Sequence, residues 1–233
     1  MTGVVLLSAL AMACGEKGAT RDTTSTTKPA SSPESPVVAA DTADAGIDGR
    51  RTILFLGTSL TAGLGLEPDS AYPQQIQRKI DASGLPYQVV NAGVSGETSA
   101  GLLRRLDWVL RRPADVIVVE TGANDGLRGL SVDATRATIG QVLTRIRKER
   151  PDATILLAQM EAPRNLGQQY TSAFSAMFPD LAREHGAVLI PFLLEGVAGV
   201  GRFNQNDGIH PNDEGERIVA GNVWRVLQPL LRP

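Results

Sequence analysis

Residues 51–60 read Arg51-Thr52-Ile53-Leu54-Phe55-Leu56-Gly57-Thr58-Ser59-Leu60, an apolar run closed by a glycine and two hydroxyl side chains. A run of this length, bounded by turn chemistry, reads as a buried strand. Four further runs have the same character: Tyr87–Asn91, Asp115–Glu120, Thr154–Gln159 and Val188–Phe192. Between them lie Tyr72–Ala82, Ser99–Arg111, Asp133–Arg150 and Gln168–His185, whose apolar residues recur at three- and four-residue spacing, the mark of amphipathic helices. A last helix is expected from about Asn212 to Leu231, with Pro211 near its start. Strands alternating with helices imply a parallel sheet covered on both faces. Right-handed crossovers then predict an α/β domain of the doubly wound, flavodoxin-like kind with five parallel strands. Its ligand crevice would lie at the carboxyl ends of the strands.

The unusual residues fall at those ends. Gly57-Thr58-Ser59-Leu60 follows the first strand, and Asn91-Ala92-Gly93-Val94-Ser95-Gly96-Glu97-Thr98 follows the second. Thr121-Gly122-Ala123-Asn124-Asp125-Gly126 follows the third, and Asp207-Gly208-Ile209-His210-Pro211-Asn212 precedes the last helix. Singly, each has an ordinary structural use: Ser59 as a helix cap, Asn124 in a turn, Gly96 supplying a positive φ. Four such clusters on one rim point instead to a shared site.

Outside this region the chain differs in kind. Residues 3–13 are an uncharged apolar run, too short to span a bilayer as a helix but suited to the core of an export signal. The small residues leading into Cys14-Gly15 resemble a lipoprotein processing box, which would leave Cys14 lipidated at the mature N-terminus. A plain cleaved signal is the alternative reading. No Lys or Arg precedes the run, and Ala11 stands where such boxes usually carry Leu. Residues 15–50 are rich in Thr, Ser, Pro, Ala and Asp and bury too little apolar surface to offset ordering, so a disordered tether is expected. The expected organisation is a signal or anchor at 1–14, a tether at 15–50 and one domain at 51–233, exported to the periplasm or held at the cell envelope.

Composition narrows the chemistry. A net charge of −2 and few aromatic residues offer neither electrostatic attraction to nucleic acid nor a stacking platform. A membrane is expected as a partner only through the N-terminal lipid. With one cysteine and two histidines in 233 residues, no disulfide and no cysteine-based metal cluster can form within the chain, and a multi-histidine metal site is not expected. His185, before Gly186 at a helix end, is assigned a structural role. That leaves His210 as the imidazole available to activate Ser59, a weak nucleophile on its own. Asp207, three residues upstream, can hold the other ring nitrogen. The Ser59 and Gly96 N–H groups and the Asn124 amide are candidate donors to an oxyanion. The set is that of acyl transfer.

The four blocks, in this order and spacing across about residues 52–231, resemble those of the SGNH or GDSL-type hydrolases. The family's Ser, Gly, Asn and His fall on Ser59, Gly96, Asn124 and His210. Gly122-Ala123-Asn124-Asp125-Gly126-Leu127-Arg128-Gly129 and Asp207-Gly208-Ile209-His210-Pro211-Asn212 resemble the bacterial thioesterase, lysophospholipase and arylesterase branch. The resemblance implies a three-layer α/β/α fold and hydrolysis of small-molecule or lipid-like esters or thioesters through an acyl-serine, without cofactor, with Asp207 completing the triad. Ser59 is followed by Leu60-Thr61, so this is not the Gly-x-Ser-x-Gly elbow of the α/β-hydrolases. The family usually has Asp before the serine; Thr58 stands there and leaves the network around the nucleophile open.

Three rival readings remain at this level. Residues 57–65 are glycine-rich after a strand, as a phosphate cradle is, but lack a P-loop lysine. A carbohydrate O-acetylesterase could use the same scaffold. A dead binding protein is disfavoured because every required side chain is present. Residues 160–167, after the fourth strand, are expected to form a wall of the substrate site.

Overall fold

The computed structural model describes residues 49–233. The expectations for Cys14, the export signal and the tether lie outside those residues. Five parallel strands form one sheet: β1 (Arg51–Gly57), β2 (Tyr87–Gly93), β3 (Val116–Val119), β4 (Thr154–Ala158) and β5 (Val188–Ile190). Their order is β2-β1-β3-β4-β5, the flavodoxin-like sequence expected from right-handed crossovers. β1 and β3 lie inside the sheet and are buried almost throughout, which accounts for their continuous apolar character.

Among the described residues seven α-helices accompany the strands: α1 (Ser59–Ala62), α2 (Tyr72–Ala82), α3 (Ser99–Val109), α4 (Ala123–Leu127), α5 (Val132–Glu149), α6 (Gln168–Glu184) and α7 (Asp213–Leu227). α2 packs with α7, whereas α3, α5 and α6 pack in a row, giving the two outer layers of an α/β/α sandwich. Each long helix buries one stripe against the sheet; α5 buries Ile139, Val142, Leu143 and Ile146.

The boundaries depart from expectation for local reasons. β5 stops at Ile190 because Pro191 has no N–H to continue the ladder. β3 is shorter than 115–120, although the Asp115 and Glu120 N–H groups still bond to Thr52 O and Leu56 O at 2.9 and 2.8 Å. α7 ends at Leu227 and passes into a 3₁₀ turn, Gln228–Leu230, that contains Pro229. His185 caps the C-terminus of α6, with Nδ1 3.5 Å from the Thr144 hydroxyl. No helix among the described residues is long and apolar enough to cross a membrane.

Candidate active site

All four polar clusters meet at the carboxyl ends of the strands. β1 runs into Thr58, which N-caps α1: its hydroxyl faces the Leu60 N–H at 3.4 Å, and Ser59 becomes the helix's first residue. The Ser59 hydroxyl lies 2.9 Å from His210 Nε2, although 151 residues separate them in the chain. On the other side of the ring, His210 Nδ1 lies 2.6 Å from Asp207 Oδ2. A carboxylate at Nδ1 places the ring proton there, so Nε2 presents its lone pair to Ser59.

Asp207 sits in a tight turn completed by Gly208, whose φ of +70° suits a residue without Cβ. Its Oδ1 also accepts from the Ile209 and His210 N–H groups at 2.9 and 3.0 Å. The His210 hydrogen bond, with these two, lowers the Asp207 carboxyl to about 2. The segment Asp207–His210 thus organises itself. It is held to α7 by Asn212, whose side-chain oxygen accepts from Glu214 and Gly215 N–H as the N-cap.

Gly96 and Asn124 line the same cleft as Ser59 and His210. Among the described residues, the Ser59 and Gly96 N–H groups have no acceptor within the chain. Asn124 Nδ2 donates one hydrogen to Glu97 O at 3.0 Å, which leaves its second hydrogen for a ligand. Three residues with an unused donor therefore line one opening, together with the Ser59 hydroxyl. The arrangement can pull a proton from the serine, and it can receive negative charge on an attacked carbonyl oxygen.

Side chains outside the four motif positions fix these donors. Asp125 accepts from Ser99 N–H and Oγ at 2.8 and 2.6 Å, tying α4, and so Asn124, to the start of α3. Arg105 forks onto Glu97 with two bonds of 2.7 Å and also reaches Ala92 O at 2.8 Å. Arg128 donates to Gly96 O at 2.9 Å. The Gly96 loop is thus pinned from both sides.

Thr58 proves to belong to a buried network that sequence reasoning left open. Glu120, at the end of β3, is 0% exposed. It accepts from the Thr58 N–H at 2.7 Å, the Thr58 hydroxyl at 2.9 Å and the Thr61 hydroxyl at 3.0 Å. Thr61 Oγ1 lies 2.8 Å from the Tyr72 hydroxyl, and the Tyr72 N–H donates to Glu216 Oε2 at 2.7 Å. Burial raises both carboxyls above the ordinary range, Glu216 to about 8. The glycine-rich stretch at 57–65 therefore packs against an acidic side chain, which does not suit a phosphate cradle.

The cleft has a volume of 770 Å³. Leu64, Leu127 and Ile209 stand exposed at its mouth, while Met160, Ala162 and Leu194 form buried wall. Of the loop after β4, residues 160–164 line the cleft, as expected, and Asn165–Gly167 do not. Among the described residues, no group of three His, Cys, Asp or Glu side chains is placed to hold a metal ion.

Comparison with known proteins agrees with this geometry. Residues 55–218 match the model of the GDSL-like lipase/acylhydrolase family. Esterase TesA of Pseudomonas aeruginosa is 39% identical, covering 78% of this chain and 90% of its own. Thioesterase 1/protease 1/lysophospholipase L1 of Escherichia coli is 38% identical, over 77% and 85%. An arylesterase of Vibrio mimicus is 30% identical, over 75% and 87%. The crystal structure of TesA superposes with a TM-score of 0.74 at 38% identity, covering 78% of this chain and all of that one. That of esterase EstA from Pseudoalteromonas sp. gives 0.73 at 31%, over 77% and 98%. The motifs, the sheet order and the relatives agree: this chain belongs to the GDSL-like, or SGNH, family of lipases and acylhydrolases, enzymes that act on ester bonds.

Proposed function

We propose that the protein is a serine esterase or thioesterase in which Ser59 attacks the acyl carbon. His210 Nε2 takes the hydroxyl proton as the Ser59 oxygen bonds to the carbonyl carbon, and Asp207 stabilises the resulting imidazolium. The carbonyl oxygen becomes an oxyanion facing the Ser59 and Gly96 N–H groups and the Asn124 amide. Collapse of the intermediate expels the alcohol or thiol, which receives the proton from His210. A water molecule, deprotonated by the same nitrogen, then releases the acid and restores Ser59.

The observation that carries this reading is the hydrogen-bonded series Ser59–His210–Asp207, at 2.9 and 2.6 Å, opening on a cleft with unpaired donors. The apolar mouth at Leu64, Leu127 and Ile209 favours lipid-like or aryl acyl substrates over acetylated sugars. Relatives named esterase, thioesterase/lysophospholipase and arylesterase agree with that preference. The test is Ser59→Ala on a nitrophenyl ester, with fluorophosphonate labelling of the parent. Turnover should vanish and the label should map to Ser59; a variant that keeps parental turnover refutes the assignment. Exchange of residues 160–164 should move the preferred acyl length, and an unchanged length profile would remove the wall role.

The N-terminal segment completes the proposal: export, with a lipid on Cys14, would hold the domain at the cell envelope. Mass spectrometry of the mature N-terminus decides between lipidation and simple cleavage.

A further inference from the structure

In the proposed reaction Ser59 contributes a backbone N–H as well as its hydroxyl, and the peptide plane of that N–H begins at Thr58. The Thr58–Ser59 peptide is planar and trans, so its carbonyl and its N–H point in opposite directions. Thr58 O accepts from Ala62 N–H at 2.9 Å and is thereby fixed toward α1. The opposite edge of the same plane, the Ser59 N–H, belongs to the residue that lines the cleft.

Thr58 itself is gripped a second time. Its N–H and its hydroxyl both donate to Glu120, at 2.7 and 2.9 Å, and the hydroxyl also lies 3.0 Å from the second carboxylate oxygen. Glu120 holds α1 at a second point through the Thr61 hydroxyl, 3.0 Å away. Thr61 can give its proton to Glu120 while accepting one from Tyr72, so every donor of the cluster runs toward the carboxylate. The space is filled: a Cβ at Gly57 would overlap the Thr61 hydroxyl and come within 2.8 Å of Glu120 Oε2.

We infer that Glu120 is a positioning residue for the reaction at Ser59, using Thr58 as a two-point handle that aims the Ser59 N–H at the oxyanion. The carboxylate touches neither substrate nor His210. Its effect is on how well one donor is aligned as charge develops, and misalignment of a reacting group by about 1 Å can cost on the order of a hundredfold in rate. The inference rests on Ser59 being the nucleophile.

The test compares Thr58→Val, which keeps shape and loses the hydroxyl, with Thr58→Ser, which restores it, and with Glu120→Gln. The readouts are kcat and KM on a nitrophenyl ester and the rate of Ser59 labelling by a fluorophosphonate, all well below each variant's melting temperature. The expected result is a fall of roughly tenfold to a hundredfold in kcat and labelling rate for Thr58→Val and Glu120→Gln, with little change in KM. Thr58→Ser should recover most of that loss. Parental kcat and labelling rate in folded Thr58→Val or Glu120→Gln overturns the inference, as does a Thr58→Ser no better than Thr58→Val. If the parent itself is not labelled at Ser59, the nucleophile assignment falls first and takes this one with it.

Discussion

Glu216 should make the stability of the domain depend on pH, by an amount that can be worked out. Its side chain lies in the first turn of α7, six residues beyond His210, and the residue is 1% exposed. It accepts the Tyr72 N–H at 2.7 Å, one of the donors that the first turn of α2 leaves without a partner. Burial, then the charges of Glu120 and Asp213, raises its carboxyl from 4.5 to about 8, against the pull of the Tyr72 N–H. Unfolding returns it to the ordinary value, so the folded state binds the proton more tightly. With the folded value above the unfolded one, stability is fully present below about 4.5, declines as pH rises toward 8, and levels off above that. At ~1.36 kcal/mol per pH unit the whole interval is worth about 5 kcal/mol, of which roughly 2–3 kcal/mol falls between pH 6 and pH 9. Glu216→Gln keeps an oxygen for the Tyr72 N–H and cannot ionise. Its unfolding free energy, from urea titrations, should gain on the parent by that ~2–3 kcal/mol across the interval, or roughly 5–10 °C in melting temperature. Parallel pH curves for parent and variant would refute the reasoning, because they would mean that Glu216 carries the same charge folded and unfolded.

Three other variants test the site and its support. Asn124→Ala should lower kcat about 10²–10³-fold with KM little changed, measured on a nitrophenyl ester, because its free amide hydrogen is made useful only as the oxyanion forms. Asp207→Asn should cost on the order of 10⁴ in kcat through the wrong histidine tautomer. The Asp207 carboxyl lies below its ordinary 3.8, at about 2, so its contribution to stability is present above 3.8 and lost toward pH 2. Acid unfolding of Asp207→Asn should therefore lack that component. Gly93→Ala should destabilise the fold by about 1–3 kcal/mol in urea titration, since a Cβ there would overlap Ala62 N and lie 2.9 Å from Thr58 O.

The layers of the fold were legible because the information is local. Runs such as Ile53–Leu56 and Val116–Val119 state burial on both faces, and the order of the strands then follows from handed crossovers. The motif residues were legible because glycine, asparagine and histidine in turns are conspicuous at strand ends. The helices that carry Ser59 and Asn124 were not: α1 has four residues and α4 five, too few for a periodic pattern. Their signal lies in caps, Thr58 for α1 and Gly122 at φ +93° for α4. The acidic network was illegible for a different reason. Glu120 looks like the polar end of a strand, and Glu216 like one of the acids that favour a helix's first turn. Nothing in their neighbours along the chain indicates that they end buried, because their partners are 59 to 144 residues away.

That difference separates two requirements of the site. The Asp207–His210 turn can form from its own four residues, and Ser59 can begin α1 with only Thr58 and the helix's own carbonyls. Neither piece determines where the other lies. From Ser59 backward the contacts run through Thr58 to Glu120, through Thr61 to Tyr72, and from the Tyr72 N–H to Glu216 on the helix that follows His210. The turn that carries Ser59 and the helix that follows His210 are therefore joined by polar contacts inside the core as well as by apolar packing. Apolar packing alone tolerates small slides at little cost, whereas a buried carboxyl that loses its donor does not. A Ser59–His210 contact of 2.9 Å between segments 151 residues apart requires the second kind of constraint.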